Sequence, residues 1–430
     1  MLKTVRTVPL FLKKGVLSMN KTKYLIIGNS AGAIGGVMGI RKEDQDGSIT
    51  IISAEKHHTY SRPLISYWLE GKVSQEKMIY RDEAFYEKNA CEVMLGTRAE
   101  RIDPEKNQVR LAGGGVIAYE KLLVATGSVP FVPPIKGRET AKNTFTFTTM
   151  DDAAGVGEIL DKNSKVVILG AGLIGLKAAE AVAGQCAGVT VVDLADRVLP
   201  SVLDAESAEI IKAHLMSRGM VLKLETSITE IGDMEVALSD GELLPYDILI
   251  LAVGTRPEMG LVEQAGGKVE RAIVTDDHQQ TSLKDIYAAG DCTQSYDITS
   301  QTAKNMAILP NAYMQGEMAG QNMAGGSAVY EKAFPVNSMG LLGLYMMTAG
   351  SYIGEATTVK TDESYKKFYI KNGVLKGCII IGNCCRGGIY TDMIREQIPL
   401  EAVDMQRLIK EPGLMAFKPG ERYAKLSAEH

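Results

Sequence analysis

No stretch of this 430-residue sequence is apolar for long enough to cross a membrane. The longest one that matters, Met339 to Gly350, is broken by glycine and spans about a dozen residues, where a membrane helix needs roughly 20. Cysteine is scarce and poorly spaced for metal. Cys91, Cys186, Cys292, Cys378, Cys384 and Cys385 make no CxxC pair, and no metal site is expected. With no secretory signal, they read as free thiols in a reducing, cytoplasmic compartment. An excess of positive charge is also lacking. A net charge of −5 argues against a general binder of nucleic acid or of acidic membranes. The first residues, MLKTVRTVPLFLKKGVLSMN, are basic, but their apolar core is shorter than the 7–15 residues, roughly, of a signal peptide. No small-residue cleavage site follows, so residues 1–20 are expected to be a disordered leader.

What is present fits a soluble globular chain, with 45% hydrophobic and 23% charged residues. Its length allows two or three domains, each with its own core. Short apolar strands alternate with helices, which implies parallel sheets and crossover connections. One unit repeats. Lys23 to Gly28 (KYLIIG) reads as a buried strand, followed by a glycine-rich turn, a helix and a second strand at Ser48 to Ser53. Lys165 to Gly170 (KVVILG) begins the same sequence, with its second strand at Val189 to Asp193. A further matching pair is KLLVATGSVP, from Lys121, and DILILAVGTRP, from Asp247. After residue 330 the pattern changes to a hairpin over Tyr365 to Ile381, with Asn372-Gly373 suited to its turn.

The sharper fingerprint is Gly170-Ala171-Gly172-Leu173-Ile174-Gly175, a GxGxxG between an apolar strand and an alanine-rich helix. Gly170 suits a tight turn, Gly172 lets backbone approach a pyrophosphate, and Gly175 allows close helix–strand packing. The helix end adds free N–H groups and a positive dipole. Asp193 ends the next strand, where a ribose-binding carboxylate belongs. The first fingerprint is degenerate: Gly28-Asn29-Ser30-Ala31-Gly32-Ala33, with Ser30 and Ala33 in the second and third glycine positions. Glu55 follows its second strand and could accept from an adenosine ribose.

Around these units Thr126-Gly127-Ser128-Val129-Pro130 resembles the ATGxxP element of the pyridine nucleotide–disulfide oxidoreductase superfamily. Thr281 to Asp291 (TSLKDIYAAGD) resembles its second FAD motif, in which the aspartate, here Asp291, binds the ribityl chain. Tyr60 to Leu64 (YSRPL) and Arg386 to Leu400 are similar to the branch of rubredoxin reductases and the flavoprotein module of NADH-dependent nitrite reductase. The resemblance runs from Lys21 to Arg407. It implies an α/β fold: two Rossmann-like dinucleotide-binding domains of the three-layer ββα type plus a C-terminal α+β domain. It also implies a split FAD domain (21–145 and 271–330), an inserted NAD domain (146–270) and a C-terminal domain (331–430).

By that resemblance FAD would be held by Gly28, Ser30, Ala31, Gly32, Ala33, Glu55, Arg62, Pro63, Ala99, Ala125, Thr126, Gly127, Asp291, Leu309 and Ala312. NAD(H) would meet Gly170, Gly172, Leu173, Ile174, Gly175, Asp193 and Gly254. The helix beginning near Pro310 would point its N-terminus at the flavin. The implied activity is hydride exchange between NAD(H) and FAD, with single electrons passing to a rubredoxin or ferredoxin. An NADH oxidase, or a flavoprotein subunit of a nitrite-reductase-like assembly, stands as the alternative. No side chain is assigned as a catalytic acid or base.

Departures from the superfamily pattern carry as much information. Its disulfide reductases have a CxxxxC pair near residues 59–64, where this chain has Thr59, Tyr60, Ser61, Arg62, Pro63 and Leu64. Many members carry a glutamate two residues after the last fingerprint glycine. Here that residue is Lys177, with Glu180 one turn later. Other conspicuous residues get plain readings. Asp151-Asp152 should cap a helix, His57 and His58 should be loop residues, and His214 should face solvent. Arg197 should begin a loop in solvent. The methionines of Met339 to Met347 should pack, and Cys384-Cys385 should remain unbridged.

Overall fold

The computed structural model describes residues 20–427. The expected leader therefore lies outside the described residues, except Asn20, which opens the first strand, Asn20–Ile27. That strand starts three residues before its apolar stretch because Asn20 to Thr22 still pair in register with Ile117 to Tyr119.

Two sheets form the frame, the second wholly parallel and the first parallel except for Gln108–Leu111 and Ala99–Asp103, which extend it antiparallel beyond Val116–Val124. The first runs Cys91–Met94, Ile49–Ile52, Asn20–Ile27, Val116–Val124, and the late strand Ile286–Ala288 also pairs with Val116–Val124. The chain thus returns to its first sheet after completing the second. The second sheet orders Val221–Lys223, Gly188–Val192, Lys165–Leu169, Ile248–Leu251 and Thr144–Phe145, all parallel. Ile49–Ile52 and Ile248–Leu251 are buried at every residue. Such runs suit parallel strands covered on both faces. The matching segments Ser128–Pro130 and Thr255–Pro257 turn out to pair with each other, antiparallel, and so tie the two units together. An antiparallel three-stranded sheet (Ile228–Ile231, Glu235–Leu238, Leu243–Pro245) completes the second unit's three layers.

The C-terminal part is a five-stranded antiparallel sheet ordered Val336–Leu341, Leu344–Gly350, Val374–Gly382, Ser364–Lys371, Glu355–Lys360, with the helix Gly388–Arg395 packed on it. Its expected hairpin is present, with Asn372 at φ +54° and Gly373 at φ +70°. Met346 and Met347 are buried in the core. One apolar cluster runs from the second unit (Leu176, Ala179, Ile211) into this sheet (Leu341, Met346, Tyr365).

Three local expectations are corrected. The helix Met150–Ile159 is capped by Thr149, not by Asp151-Asp152; Asp152 instead sits at the third position and returns the bond, completing a capping box. His214 does not face solvent, because its Nε2 meets the carbonyl of Leu341 at 3.0 Å. Arg197 is half-buried and rests on Asp196 at 2.8 Å.

Candidate functional site

The duplicated fingerprints build the same turn twice. Gly28 has φ +113° and Gly170 φ +119°, a region that disfavours any side chain. A Cβ at Gly28 would lie 2.1 Å from the carbonyl of Ala125, and one at Gly170 2.3 Å from that of Ala252. Each turn therefore passes against the end of its neighbouring strand, and glycine alone fits. Gly175 is packed as tightly, its Cβ position 1.9 Å from the Gly170 carbonyl. Gly172 is the opposite case: no atom lies within 4 Å of its Cβ position. It caps the helix Leu173–Ala183 with no side-chain bond, leaving that helix end open. The first helix, Ala31–Glu43, likewise has Ser30 at its start without a side-chain cap. Two uncapped N-termini are two sites suited to phosphate.

A cavity of about 390 Å³ lies at the first of them, lined by Ser30, Ala31, Tyr60, Tyr80, Leu309 and Tyr313 among others. The helix Leu309–Met323 also begins there without a side-chain cap, with proline in its first turn. A smaller annex, about 20 Å³, shares Ser30 and Tyr60 and adds Asn29, Ser53, Glu55, His57, His58 and Arg62. Asn29 Nδ2, His58 Nδ1 and Thr59 Oγ1 are buried beside it without a hydrogen-bond partner. Orphaned polar atoms around a trough with two helix N-termini fit an elongated dinucleotide bearing a pyrophosphate. The residues present therefore fit FAD.

The structure brings Ser30, Ala31 and Leu309 to the larger cavity and Glu55 and Arg62 to the annex. Glu55 is already engaged: Tyr60 donates to it at 2.7 Å and Arg62 forms an ion pair with it. Arg62 also donates to the Thr148 carbonyl at 3.0 Å. Burial pushes the Asp291 carboxyl above its ordinary value, against the opposing pull of a 3.2 Å bond from Ser128 and the Arg62 charge. Thr126 donates to the Glu258 carbonyl at 2.6 Å, and Gly127 accepts from the Glu258 amide at 2.9 Å. Pro63 is exposed in the short turn Arg62–Leu64. Ala33 and Ala312 are buried, and Ala99 packs on the core rather than at the cavity.

At the second fingerprint, Asp193 Oδ2 accepts from the Ala171 amide at 2.5 Å and Oδ1 from the Ala195 amide at 2.8 Å. The carboxylate is thus pinned beside the open end at Gly172, with Leu173 and Ile174 half-buried next to it. Gly254 is exposed at φ +117°. Glu180 is spent elsewhere, on Lys177 and on the Leu342 amide at 2.7 Å. Sequence reasoning missed Tyr80, Tyr313 and Met314 in the cavity wall. No local pattern marks Tyr80, whereas Tyr313 and Met314 lie in the helix already assigned at Leu309 and Ala312 and were passed over there. Among the described residues no three His, Cys, Asp or Glu side chains are grouped to hold a metal. No helix among them is long and apolar enough to cross a membrane.

Comparison with known proteins gives a consistent result. Residues 22–316 match the family described as pyridine nucleotide-disulphide oxidoreductase. The chain is 30% identical over 399 residues to the NADH-dependent phenylglyoxylate dehydrogenase subunit epsilon of Aromatoleum evansii, covering 89% of this chain and 94% of that one. It is also 30% identical over 395 residues to an NADH oxidase of Methanocaldococcus jannaschii, covering 84% and 87%. Two solved structures align along most of the chain. A NAD-dependent persulfide reductase from A. fulgidus gives a TM-score of 0.82 at 26% identity, covering 89% and 78%. NADH:rubredoxin oxidoreductase from Clostridium acetobutylicum gives 0.74 at 25% identity, covering 89% and 97%.

Proposed function

We propose that this chain, which belongs to the pyridine nucleotide-disulphide oxidoreductase family, carries electrons between NAD(H) and a small one-electron iron–sulphur carrier of rubredoxin or ferredoxin type. It is an NAD(H)-dependent oxidoreductase with FAD as its cofactor. The single observation behind the choice of acceptor is chemical: Thr59 to Leu64 contains no thiol. All six cysteines are unbridged, which also supports a reducing, cytoplasmic setting. Without a neighbouring thiol pair, electrons have no two-electron stop between cofactor and acceptor. Similarity to an NADH:rubredoxin oxidoreductase over nearly its whole length supports the same reading.

When bound, FAD supplies the group that takes up a hydride and can release electrons singly. The chain's own residues do the holding. The uncapped start of Ala31–Glu43, with Gly28, Ser30 and Gly32, would bind the FAD pyrophosphate through N–H groups. Asp291 would take a ribityl hydroxyl, and the start of Leu309–Met323 would present its dipole to the ring. Gly170, Gly172 and Gly175 would admit the NAD(H) pyrophosphate, and Asp193 its adenosine ribose. No proton needs a side-chain base for hydride transfer, so alignment is the protein's main contribution.

A cysteine-free protein tests this. With alanine at buried Cys292 and Cys378 and serine at the other four, NADH-driven reduction of a one-electron dye should stay within about threefold of wild type, roughly 0.7 kcal/mol. Collapse of dye reduction in a folded, flavin-loaded variant would show that a thiol relay exists. A second reading is favoured by one observation: the Aromatoleum relative, similar along 94% of its length, is itself a subunit of a dehydrogenase. Under it the carrier is a partner chain in a stable assembly, and a second polypeptide copurifies stoichiometrically from the native host.

A further inference from the structure

The tip of the first C-terminal hairpin is held by the nucleotide-binding unit at three backbone groups, on Gly340, Leu341 and Leu342. Strands Val336–Leu341 and Leu344–Gly350 are joined by Leu342 and Gly343, at φ +48° and +92°. That two-residue turn favours asparagine or glycine at its first position. Leucine there carries backbone strain, which persists only where the surroundings enforce it. Here they do. Lys177 donates to the Gly340 carbonyl at 3.3 Å, His214 meets the Leu341 carbonyl at 3.0 Å, and the Leu342 amide donates to Glu180 at 2.7 Å.

Lys177 and Glu180 form an ion pair on the helix Leu173–Ala183, with side chains only 16% and 5% exposed. The Lys177 ammonium also lies 4.1 Å from the ring centroid of Tyr67, in the helix Ile65–Leu69. The same short helix accepts from Gln185 through the Leu69 carbonyl at 2.9 Å. It follows directly on the Arg62–Leu64 turn that borders the annex. The fingerprint helix is therefore gripped from two sides, by the hairpin tip and by the segment after Arg62. The grip sits five residues beyond Gly172, about 7 Å along the axis from the end that would bind NAD(H).

From this we infer that Lys177 and Glu180 are positioning residues: they clamp the NAD-binding helix between the hairpin tip and the Tyr67 helix, and so set the approach of the nicotinamide to the flavin. The inference rests on the NAD(H)–FAD function proposed above. A rigid helix transmits a shift at Lys177 to its own N-terminus. Misplacement of reacting groups by about 1 Å can slow a reaction roughly a hundredfold. Asp193 is bonded to the Ala171 amide, so the glycine turn, the helix start and the adenosine site move as one body, and a shift that misaims the nicotinamide leaves ADP-ribose affinity unchanged.

The test uses the flavin-loaded double variant Lys177→Met, Glu180→Leu, which removes both charges together and strands neither. Flavin reduction by NADH, followed by rapid mixing without oxygen, should slow by about tenfold or more, while the Kd for ADP-ribose stays within about threefold. Trp68, the only tryptophan, lies in the gripped Tyr67 helix and packs against the core there. Its quenching by acrylamide should rise about twofold as that helix loosens, a readout independent of turnover. His214→Leu, which removes one donor and keeps a bulky side chain, should shift both signals the same way and serves if the double variant does not fold. Flavin reduction within about twofold of wild type would overturn the inference. So would a slowing matched by equal loss of ADP-ribose affinity, which marks plain structural damage. A wild type whose flavin NADH cannot reduce would instead remove the function, and this inference with it.

Discussion

Gly316→Ala should destabilise the protein by about 3 kcal/mol or more and strip it of flavin, although alanine is the better helix former. Helices Ala31–Glu43 and Leu309–Met323 meet backbone to backbone. A Cβ at Gly316 would lie 2.0 Å from the Gly32 carbonyl, one at Gly320 2.2 Å from the Gly36 carbonyl, and one at Gly35 2.1 Å from the Tyr313 carbonyl. The obstacle in each case is main chain, which cannot rotate aside like a flexible side chain. Alanine's helix propensity would return at most about 1 kcal/mol. Separating the helices costs more, because the packed small residues lose their contacts along the whole seam. The same seam holds both helix starts at the cavity, so flavin retention should fall with stability. Gly184→Ala is the control, since no atom lies within 4 Å of its Cβ position and its φ is −84°. Thermal melts and flavin content of the two purified variants check this. A Gly316→Ala protein within about 1 kcal/mol of wild type would show that the helices can part cheaply.

The second large effect is coenzyme choice, with kcat/KM for NADH exceeding that for NADPH by about tenfold or more, some 1.4 kcal/mol. Asp193 is the cause. Its carboxylate is fixed by the amides of Ala171 and Ala195 and cannot swing away from an incoming group. An adenosine ribose offers it hydroxyl donors, whereas a 2′-phosphate adds about −1.5 to −2 charges. Like unit charges at about 4 Å repel by roughly 4 kcal/mol at an effective dielectric of 20. Arg197 is the nearest candidate to soften this, but its guanidinium is half-buried on Asp196. Asp193→Ser should lower kcat/KM for both coenzymes, because two amides lose their acceptor, and should shrink the ratio between them. A wild type that favours NADPH would overturn the role given to Asp193.

What could be read from the sequence was the local chemistry. Gly28 and Gly170 are turns that only glycine fits, and each announces itself beside an apolar strand. Asn372-Gly373 marked its hairpin turn for the same reason. Leu342-Gly343 makes the same kind of turn without any such mark, because the conformation is imposed by Glu180 and His214 from another part of the chain. His214 misled for the complementary reason, since its neighbours in sequence say nothing of the hairpin that covers it. The aspartates at 151 and 152 suggested a cap, and the structure moved that role back to Thr149, with Asp152 as its partner. At the cavity, Ser30 and Leu309 stood in recognisable motifs, whereas Tyr80 owes its place to folding alone. Glu55 was legible as a carboxylate placed after a strand. Its engagement by Tyr60 and Arg62 was not.

The central claim is that electrons pass from NADH to FAD and leave without a thiol in between. Titrating the protein, purified with its flavin and kept free of oxygen, with NADH tests it most directly. The flavin absorbance should be lost in full at about one NADH per FAD, because a hydride carries the two electrons that the flavin alone can take. A requirement for about two equivalents, or a flavin that NADH leaves oxidised, would contradict the account.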